Sequence, residues 1–286
     1  MTVADFTRHK GLLYAVAYRM LSSVADAEDV VQEAWLRWDE VDQATIEDPE
    51  AYLVKVTIRL SIDRVRSAAI RRESYVGPWL PEPMLTTPDA ADDVVRADTV
   101  STAMLLVLQA LSPTERAVFI LNEAFGYNLT EIAAILDRRD ADVRQLAHRA
   151  RAAVADRRRK YDADPATQQQ VTERFLEACL GGDLKALMDV LAPDVTLISD
   201  GGGLTGAPRK PIHGPQYVAQ AIILLSQRRP ADSHVVLRHV NGAPGLVIYA
   251  GATPVIAATF HLVDGAIETI HVVSNPQKLT GVAEVI

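Results

Sequence analysis

Basic side chains are concentrated in two short segments of this chain, and both segments could contact phosphate groups. Residues 55–72 hold six Lys or Arg against the single acid Asp63, and residues 138–160 hold nine against three acids. Residues 22–50 have the opposite balance, with ten Asp or Glu and one Arg. The net charge of −8 therefore conceals two positive patches. Because each neutralised phosphate releases counterions locally, this distribution favours contact with nucleic acid at two places and with another protein elsewhere.

The totals are those of a chain with packed cores. The 286 residues suggest two or three domains, and 49% of them are apolar. A single cysteine, Cys179, excludes a disulfide framework and a cysteine-based zinc site. The first ten residues include Asp5, Arg8 and Lys10, unlike a signal peptide, and the longest apolar run, residues 103–108, is too short to span a bilayer. We expect a soluble, cytoplasmic protein with no membrane partner.

The N-terminal part, residues 1–72, is predicted to be an all-helical domain with helices over residues 5–21, 26–38 and 49–72. In the second helix the apolar residues recur at helical spacing, with acidic and amide groups opposite. Asp26 is predicted to be its N-cap. Asp48 followed by Pro49 is typical of the start of a helix.

A proline-rich linker is predicted over residues 73–92, because four prolines and Gly77 exclude a continuous helix. Residues 93–160 are predicted to be helical again. A capping-box sequence begins at Ser112, and a short helix is predicted to start at Asn128. A turn at residues 137–140 joins two short helices in a helix-turn-helix pattern. The second of these helices should expose a polar and basic face. That face consists of Arg144, Gln145, His148, Arg149 and Arg151.

Residues 165–286 are predicted to form an α+β domain. Two helices and a strand are followed by a helix at residues 215–227 and by four alternating apolar segments. Asn241-Gly242 and Asp264-Gly265 are typical of hairpin turns between such strands. The predicted fold class is therefore multidomain, with two all-α domains followed by an α+β domain.

The string at residues 27–38, Ala-Glu-Asp-Val-Val-Gln-Glu-Ala-Trp-Leu-Arg-Trp, resembles the region 2 helix of bacterial ECF-type sigma factors, which docks on the clamp of RNA polymerase. The resemblance implies a core-polymerase face, a helix that reads the promoter −10 element, and a region 4 helix-turn-helix that reads the −35 element. The implied polymerase contacts are Asp29, Gln32, Glu33, Leu36 and Arg37. The implied −10 contacts are Tyr52, Lys55, Arg59, Arg64 and Arg66. For −35 we favour Arg144, Gln145 and His148 for bases, and Arg149 and Arg151 for phosphates. The usual glycine of the region 4 turn is Asp137 here, which tolerates a left-handed conformation.

The C-terminal domain resembles the SnoaL-like branch of the NTF2 fold, a cone with an apolar pocket. Two strings resemble hallmarks of one ECF group that carries such an extension and has no dedicated anti-sigma factor. They are Trp79-Leu80-Pro81-Glu82-Pro83 and Asp200-Gly201-Gly202-Gly203. The resemblance implies that the second string contacts the linker and region 2 and regulates the factor. A basic residue often follows the glycines in that group, but Leu204 stands here.

Enzymatic activity of the cone is not expected, because no acid–base pair is evident. The candidate residues are Asp200, His213, Tyr217, Tyr249, His261 and His271. His261 and His271 alternate with apolar neighbours and are expected to point into the cone, but the histidine spacing does not match a metal site. We expect no cofactor and no metal. Two alternatives stay open: a helix-turn-helix regulator whose cone senses an unidentified small molecule, and a bifunctional enzyme.

Overall fold

The computed structural model describes residues 3–86, 100–158, 164–227, 230 and 232–283. The chain divides into two compact units. The first consists of Met1–Ser74, Asp89–Val100 and Met104–Arg157, and the second of Tyr75–Pro88, Ser101–Ala103 and Arg158–Ile286. The predicted helix over residues 93–99 lies outside the described residues. No helix among the described residues is long and apolar enough to cross a membrane.

The first unit begins with three helices packed on one another: α1 (Val3–Leu21), α2 (Val24–Glu40) and α3 (Pro49–Glu73). The predicted apolar stripe of α2 is largely buried, and Trp38 is fully so. The prediction that Asp26 caps α2 is wrong. The N-cap is Ser23, whose hydroxyl accepts from the Asp26 amide at 3.2 Å, and the Asp26 carboxylate instead lies 3.1 Å from Arg64.

Further helices, including the helix-turn-helix, follow in the same unit. These are α4 (Thr102–Gln109), α5 (Pro113–Phe119) with a π-helical extension at Ile120–Ala124, α6 (Leu129–Leu136) and α7 (Asp140–Arg158). The first two residues of α4 belong to the second unit. The capping box predicted at Ser112 is confirmed, and the helix start predicted at Asn128 is confirmed and also has a capping box. Asp137 ends α6 with φ 50° and ψ 52°, the left-handed conformation expected of it.

The C-terminal part of the second unit has three helices against one mixed sheet. The helices are α8 (Pro165–Gly181), α9 (Leu184–Asp189) and α10 (Pro215–Gln227). The strands are β1 (Leu191–Asp200), β2 (Ile212–His213), β3 (Ser233–Val240), β4 (Ala243–Ala250), β5 (Thr253–Val263) and β6 (Ala266–Val273).

The strand order is β2-β1-β6-β5-β4-β3, with β1 and β6 parallel and the other neighbours antiparallel. The two hairpin turns predicted at Asn241-Gly242 and Asp264-Gly265 are confirmed, since all four residues have positive φ. The core lies between the helices and one face of the sheet, as Phe175, Val218 and Phe260 illustrate. The α+β fold class is confirmed.

Candidate functional site

The polar face of α2 is open to solvent. Asp29, Gln32, Leu36 and Arg37 are exposed and Glu33 is half-buried. Arg37 and Glu33 form an i,i+4 ion pair at 2.9 Å, and the Leu36 side chain is 54% exposed. An exposed leucine within a charged helical face is suited to contact with another protein.

The basic residues expected on α3 all carry acidic partners within the first unit. Lys55 lies 2.6 Å from Asp137, and Arg59 also pairs with that carboxylate. Burial, reinforced by the nearby Arg59 charge, lowers the pKa of Lys55. Arg64 lies 2.8 Å from Asp29. Arg66 pairs with Asp63 at 3.4 Å, and Tyr52 packs against Trp38 with the ring centroids 5.9 Å apart.

Asp137 therefore joins the two helical regions. It ends α6, and it neutralises two cations of α3 that the sequence assigned to DNA. A second link is the Tyr127 hydroxyl, which donates to Glu50 at 2.7 Å. A third is buried, where Arg116 donates to the Met20 carbonyl at 2.5 Å. The polar surface of α3 is thus partly occupied by the helix-turn-helix of the same unit.

The outer face of α7 has the predicted arrangement. Val143, Leu146, Ala147 and Ala150 are buried, and the five polar residues expected on the opposite side are all exposed. Arg149 pairs with Glu115 at 2.8 Å, and Arg151 with Glu123 at 2.6 Å. Arg144, Gln145 and His148 make no ion pair with another residue of the described chain. These three side chains are therefore available to an external acceptor or donor.

The linker runs along the C-terminal domain and is bound to it through its own backbone. The Met84 amide donates to the Asn241 side chain, and the Met84 carbonyl accepts from the Asn241 amide, both at 2.9 Å. The Leu85 amide donates to Gly281 at 3.0 Å and the Thr86 amide to His239 at 2.9 Å. Within the Trp-Leu-Pro-Glu-Pro string, the four residues after the half-buried tryptophan are buried. The described part of the linker, residues 75–86, contains no helix, as predicted, and belongs to the second unit, whereas residues 87–92 of the predicted linker lie outside the described residues.

Asp200, at the end of β1, is fully buried, and its carboxylate accepts four hydrogen bonds. Its Oδ1 accepts from the Tyr75 hydroxyl at 2.5 Å and from the Gly202 amide at 3.1 Å. Its Oδ2 accepts from the Leu80 amide at 2.8 Å and from Lys278 Nζ at 2.6 Å. A buried carboxylate needs such compensation. The arrangement fixes one side chain of the cone to two points of the linker.

The residues that complete this site were not identified from the sequence. Lys278 also donates to the Leu80 carbonyl at 2.8 Å, and its ammonium lies 3.9 Å from the centroid of the Trp79 ring. Asn275 donates to the Tyr75 hydroxyl at 2.9 Å. Burial, with the hydrogen bond to Asp200 second, raises the pKa of Tyr75 so that the phenol stays protonated.

The glycines after Asp200 allow a close approach of other side chains. A Cβ at Gly202, where φ is +59°, would lie 2.4 Å from Asn275 Nδ2. A Cβ at Gly203, where φ is +73°, would lie 3.1 Å from Val76 of the linker. Leu204, the departure from the family pattern, is 60% exposed. The cation at this site therefore comes from Lys278.

His261 and His271 do not face the core of the C-terminal domain. The prediction that His261 and His271 point into the cone is wrong: they lie opposite the core residues Phe260 and Ile270 and line a separate cavity of about 30 Å³. His261 lies 3.4 Å from Glu268.

The other candidate catalytic residues of this domain also lie apart from one another. Tyr249 donates to the Val282 carbonyl at 2.9 Å, His213 bonds Thr196 at 3.0 Å, and Tyr217 is 67% exposed. No group of three or more His, Cys, Asp or Glu suited to a metal ion occurs in the described ranges.

Comparison with known proteins defines the class. Residues 6–70 match the model of Sigma-70 region 2, and residues 101–154 match that of Sigma-70 region 4. The helical unit with its two basic helices is thus that of a sigma-70 type factor.

Similarity to particular proteins extends over nearly the whole chain. It is 38% identical over 295 residues to the ECF RNA polymerase sigma factor SigJ of Mycobacterium tuberculosis, covering 98% of this chain and 94% of the relative. It is 34% identical over 282 residues to the probable ECF RNA polymerase sigma factor SigI of the same species, covering 96% and 94%. The crystal structure of SigJ superposes with a TM-score of 0.75 at 34% identity, covering 98% of this chain and 99% of the other. The chain belongs to the ECF RNA polymerase sigma factors and carries a C-terminal α+β domain.

Proposed function

We propose that this sigma factor is regulated by its own C-terminal domain, which binds the linker between regions 2 and 4 through Asp200. The observation that carries the proposal is the buried carboxylate that accepts from the Leu80 amide and the Tyr75 hydroxyl. A linker bound in this way adopts fewer conformations. Because the linker connects regions 2 and 4, binding it also restricts the positions that these two DNA-reading regions can adopt. Regulation of this kind requires that the contact differ between the isolated and the polymerase-bound factor.

We further assign the contacts of initiation by region. Asp29, Gln32, Glu33, Leu36 and Arg37 would bind the polymerase clamp. The α3 residues Tyr52, Lys55, Arg59, Arg64 and Arg66 would contact the −10 element. The exposed face of α7 would read the −35 element, with Arg144, Gln145 and His148 on bases and Arg149 and Arg151 on phosphates. The basic side chains of α3 and the full exposure of the five polar residues of α7 support the DNA contacts, and the exposed Leu36 supports the polymerase contact.

The pairing of Lys55 and Arg59 with Asp137 supports a compact state in which the −10 helix is not free to bind DNA. Promoter engagement would then require these ion pairs to open. Each is exposed enough that phosphate can compete for the cations. Since this chain carries its own linker-binding domain, we propose that it needs no dedicated anti-sigma factor and that the domain does not catalyse a reaction. Sigma-family membership favours this interpretation over a polymerase-independent helix-turn-helix regulator.

Run-off transcription tests the proposal with the full chain, RNA polymerase core and a promoter selected from a random-sequence pool. We compare the parent with Asp200→Asn and Trp79→Ala. Asp200→Asn removes the charge that compensates the buried Lys278, so we expect transcript yield to change fivefold or more. The matched control is Asp264→Asn, an exposed Asp at a turn position that Asn also adopts.

Unchanged yield from both linker-site variants would refute regulation through Asp200, whereas absence of any start site from the parent would refute the assignment of promoter contacts. Circular dichroism confirms that each variant is folded before its yield is interpreted.

A further inference from the structure

We infer that the C-terminal domain has a binding site for an uncharged amphipathic molecule, with an apolar body in the cone and one hydroxyl or carbonyl end beside Ser199. Three features of the second unit carry this inference. They are an apolar cavity, an adjoining cleft with hydroxyl groups, and a buried hydroxyl without a partner.

The cavity lies between α8, α10 and the core-facing side of the sheet, with a volume of about 90 Å³. Its walls include Phe175, Leu197, Leu246, Ala258 and Ile270. An apolar cavity of about this size excludes water and accepts a small apolar molecule. Among the residues that the structure describes, the lining includes no Asp, Glu, His, Lys or Arg. A charged body would therefore be desolvated there without compensation, which favours a neutral one.

The cleft continues from this cavity and shares Leu225, Ile256 and Val272 with it. It has a volume of about 280 Å³, and hydroxyl groups enter its lining. The hydroxyls belong to Ser199, Thr205 and Ser274, and the described lining residues carry no charge. A molecule that extends from the cavity into the cleft would thus pass from aliphatic to polar surroundings.

Ser199 indicates where the polar end would lie. Its side chain is 2% exposed, and its Oγ has no hydrogen-bond partner among the described residues. A buried hydroxyl without a partner is unfavourable because it has lost its hydrogen bonds to water, so a ligand oxygen placed beside it would recover part of that loss. Thr205 and Ser274 already bond each other at 2.9 Å. Ser199 is therefore the polar group of the cleft with unused bonding capacity.

The site adjoins the residue that binds the linker. Ser199 precedes Asp200 on β1, and the Ser274 amide donates to the Asp200 carbonyl at 2.8 Å. A molecule bound in the cleft would contact Ser199 and Ser274, the residues next to Asp200, directly. Any effect of the molecule on transcription rests on the proposed function, but binding does not.

Cys179 makes the test specific, because it is the only cysteine of the chain and lines the cavity. The rate of its modification by N-ethylmaleimide is measured on the full-length protein with 1-octanol as the probe. We expect 1-octanol to slow modification fivefold or more in a saturable manner. Glycerol, which lacks the apolar body, should have no effect, and octanoate should need at least a tenfold higher concentration. Calorimetric titration with 1-octanol gives a second readout that does not depend on the thiol.

Two variants fill the site. Ala258→Phe places a ring in the cavity, and Ser226→Phe does so at the half-buried edge of α10, where folding is less at risk. Both should abolish octanol binding, and Ser199→Ala should weaken it severalfold. Absence of octanol binding by the parent would overturn the inference, as would equal binding by both filled variants. Equal potency of octanoate would overturn the assignment of an uncharged ligand, and unchanged affinity of Ser199→Ala would overturn the placement of its polar end.

Discussion

Lys278 binds both Asp200 and Leu80, so that a single ammonium connects the cone to the linker. Its distances are 2.6 Å to the carboxylate and 2.8 Å to the main-chain carbonyl. Both charged side chains are almost completely buried. In a pair of this kind, loss of one partner leaves the other charge uncompensated.

We therefore expect Lys278→Met to destabilise the C-terminal domain by about 3–5 kcal/mol, the usual cost of breaking a buried ion pair. Chemical unfolding of the full chain, followed by circular dichroism, measures this loss. The double variant with Asp200→Asn should recover part of the stability, because no buried charge is then left alone. Lys185→Met, at an exposed position of α9, is the control. A Lys278→Met protein as stable as the control would contradict the importance of the pair.

Asp137→Asn should release Lys55 and Arg59 while preserving the left-handed residue at the end of α6. The ion pairs are partly exposed, so the free energy of unfolding should change by less than about 1 kcal/mol. Affinity of the core-bound factor for promoter DNA should rise about two- to tenfold, with a steeper dependence on salt because two more cations reach phosphate. Fluorescence anisotropy over a salt series measures both quantities.

The control for that experiment is Asp194→Asn, which makes the same change of net charge at an exposed position of β1. Equal DNA affinity of the two variants would show that Asp137 does not withhold α3 from DNA.

Gly202→Ala and Gly206→Ala form a matched pair within one loop. A Cβ at Gly202 would lie 2.4 Å from Asn275, and the alanine would have to adopt φ +59°. In contrast, nothing lies within 4 Å of a Cβ at Gly206. We expect the first variant to lower the free energy of unfolding by about 1–3 kcal/mol and the second to leave it unchanged or raise it slightly. Thermal unfolding distinguishes them, and equal midpoints would contradict the close approach of Asn275.

His271 should make the stability of the cone depend on pH. Burial, with the nearby His261 second, lowers the pKa of His271 to about 4 from its usual 6.5. The unfolded chain therefore binds the proton first as pH falls, and stability is lost below about pH 6.5 until the native histidine titrates near pH 4. The loss should approach about 1.4 kcal/mol per pH unit in that window, or about 3 kcal/mol in all.

Unfolding of the parent and of His271→Gln across pH 4–8 measures this contribution as a difference, which removes the shared effect of the acidic residues. His213→Gln, at an exposed histidine, should retain the slope of the parent. A parallel pH dependence in His271→Gln would show that His271 is not responsible.

Local sequence signals predicted most of the fold because the forces involved are local. Ser112 and Asn128 act within one helical turn, and Asn241-Gly242 acts within a two-residue loop. The N-cap of α2 was predicted wrongly because Ser23 and Asp26 both suit the start of a helix. The position of Arg64 in α3, which is not a local signal, decides which partner the Asp26 carboxylate has.

The linker-binding site was only half visible in the sequence. Resemblance pointed to Asp200 and to the Trp79 string, but Tyr75 and Lys278 have no local pattern that would connect them. Their contacts with Asp200 span 125 and 78 residues and exist only after the sheet has formed. The orientation of His261 and His271 was predicted wrongly for a related reason. Alternation of apolar residues shows that a strand has two faces, but not which of two buried faces is the cone.

The bond between the Leu80 amide and Asp200 lies within one chain. Its occupancy does not change when the protein is diluted, because the effective concentration of two tethered groups is fixed by the chain between them. A cell that makes more of this factor also makes more of the domain that binds its linker, in a strict one-to-one ratio. Overproduction alone would therefore leave the fraction of linker-bound molecules unchanged, and only a change in the relative free energies of the two states could alter it.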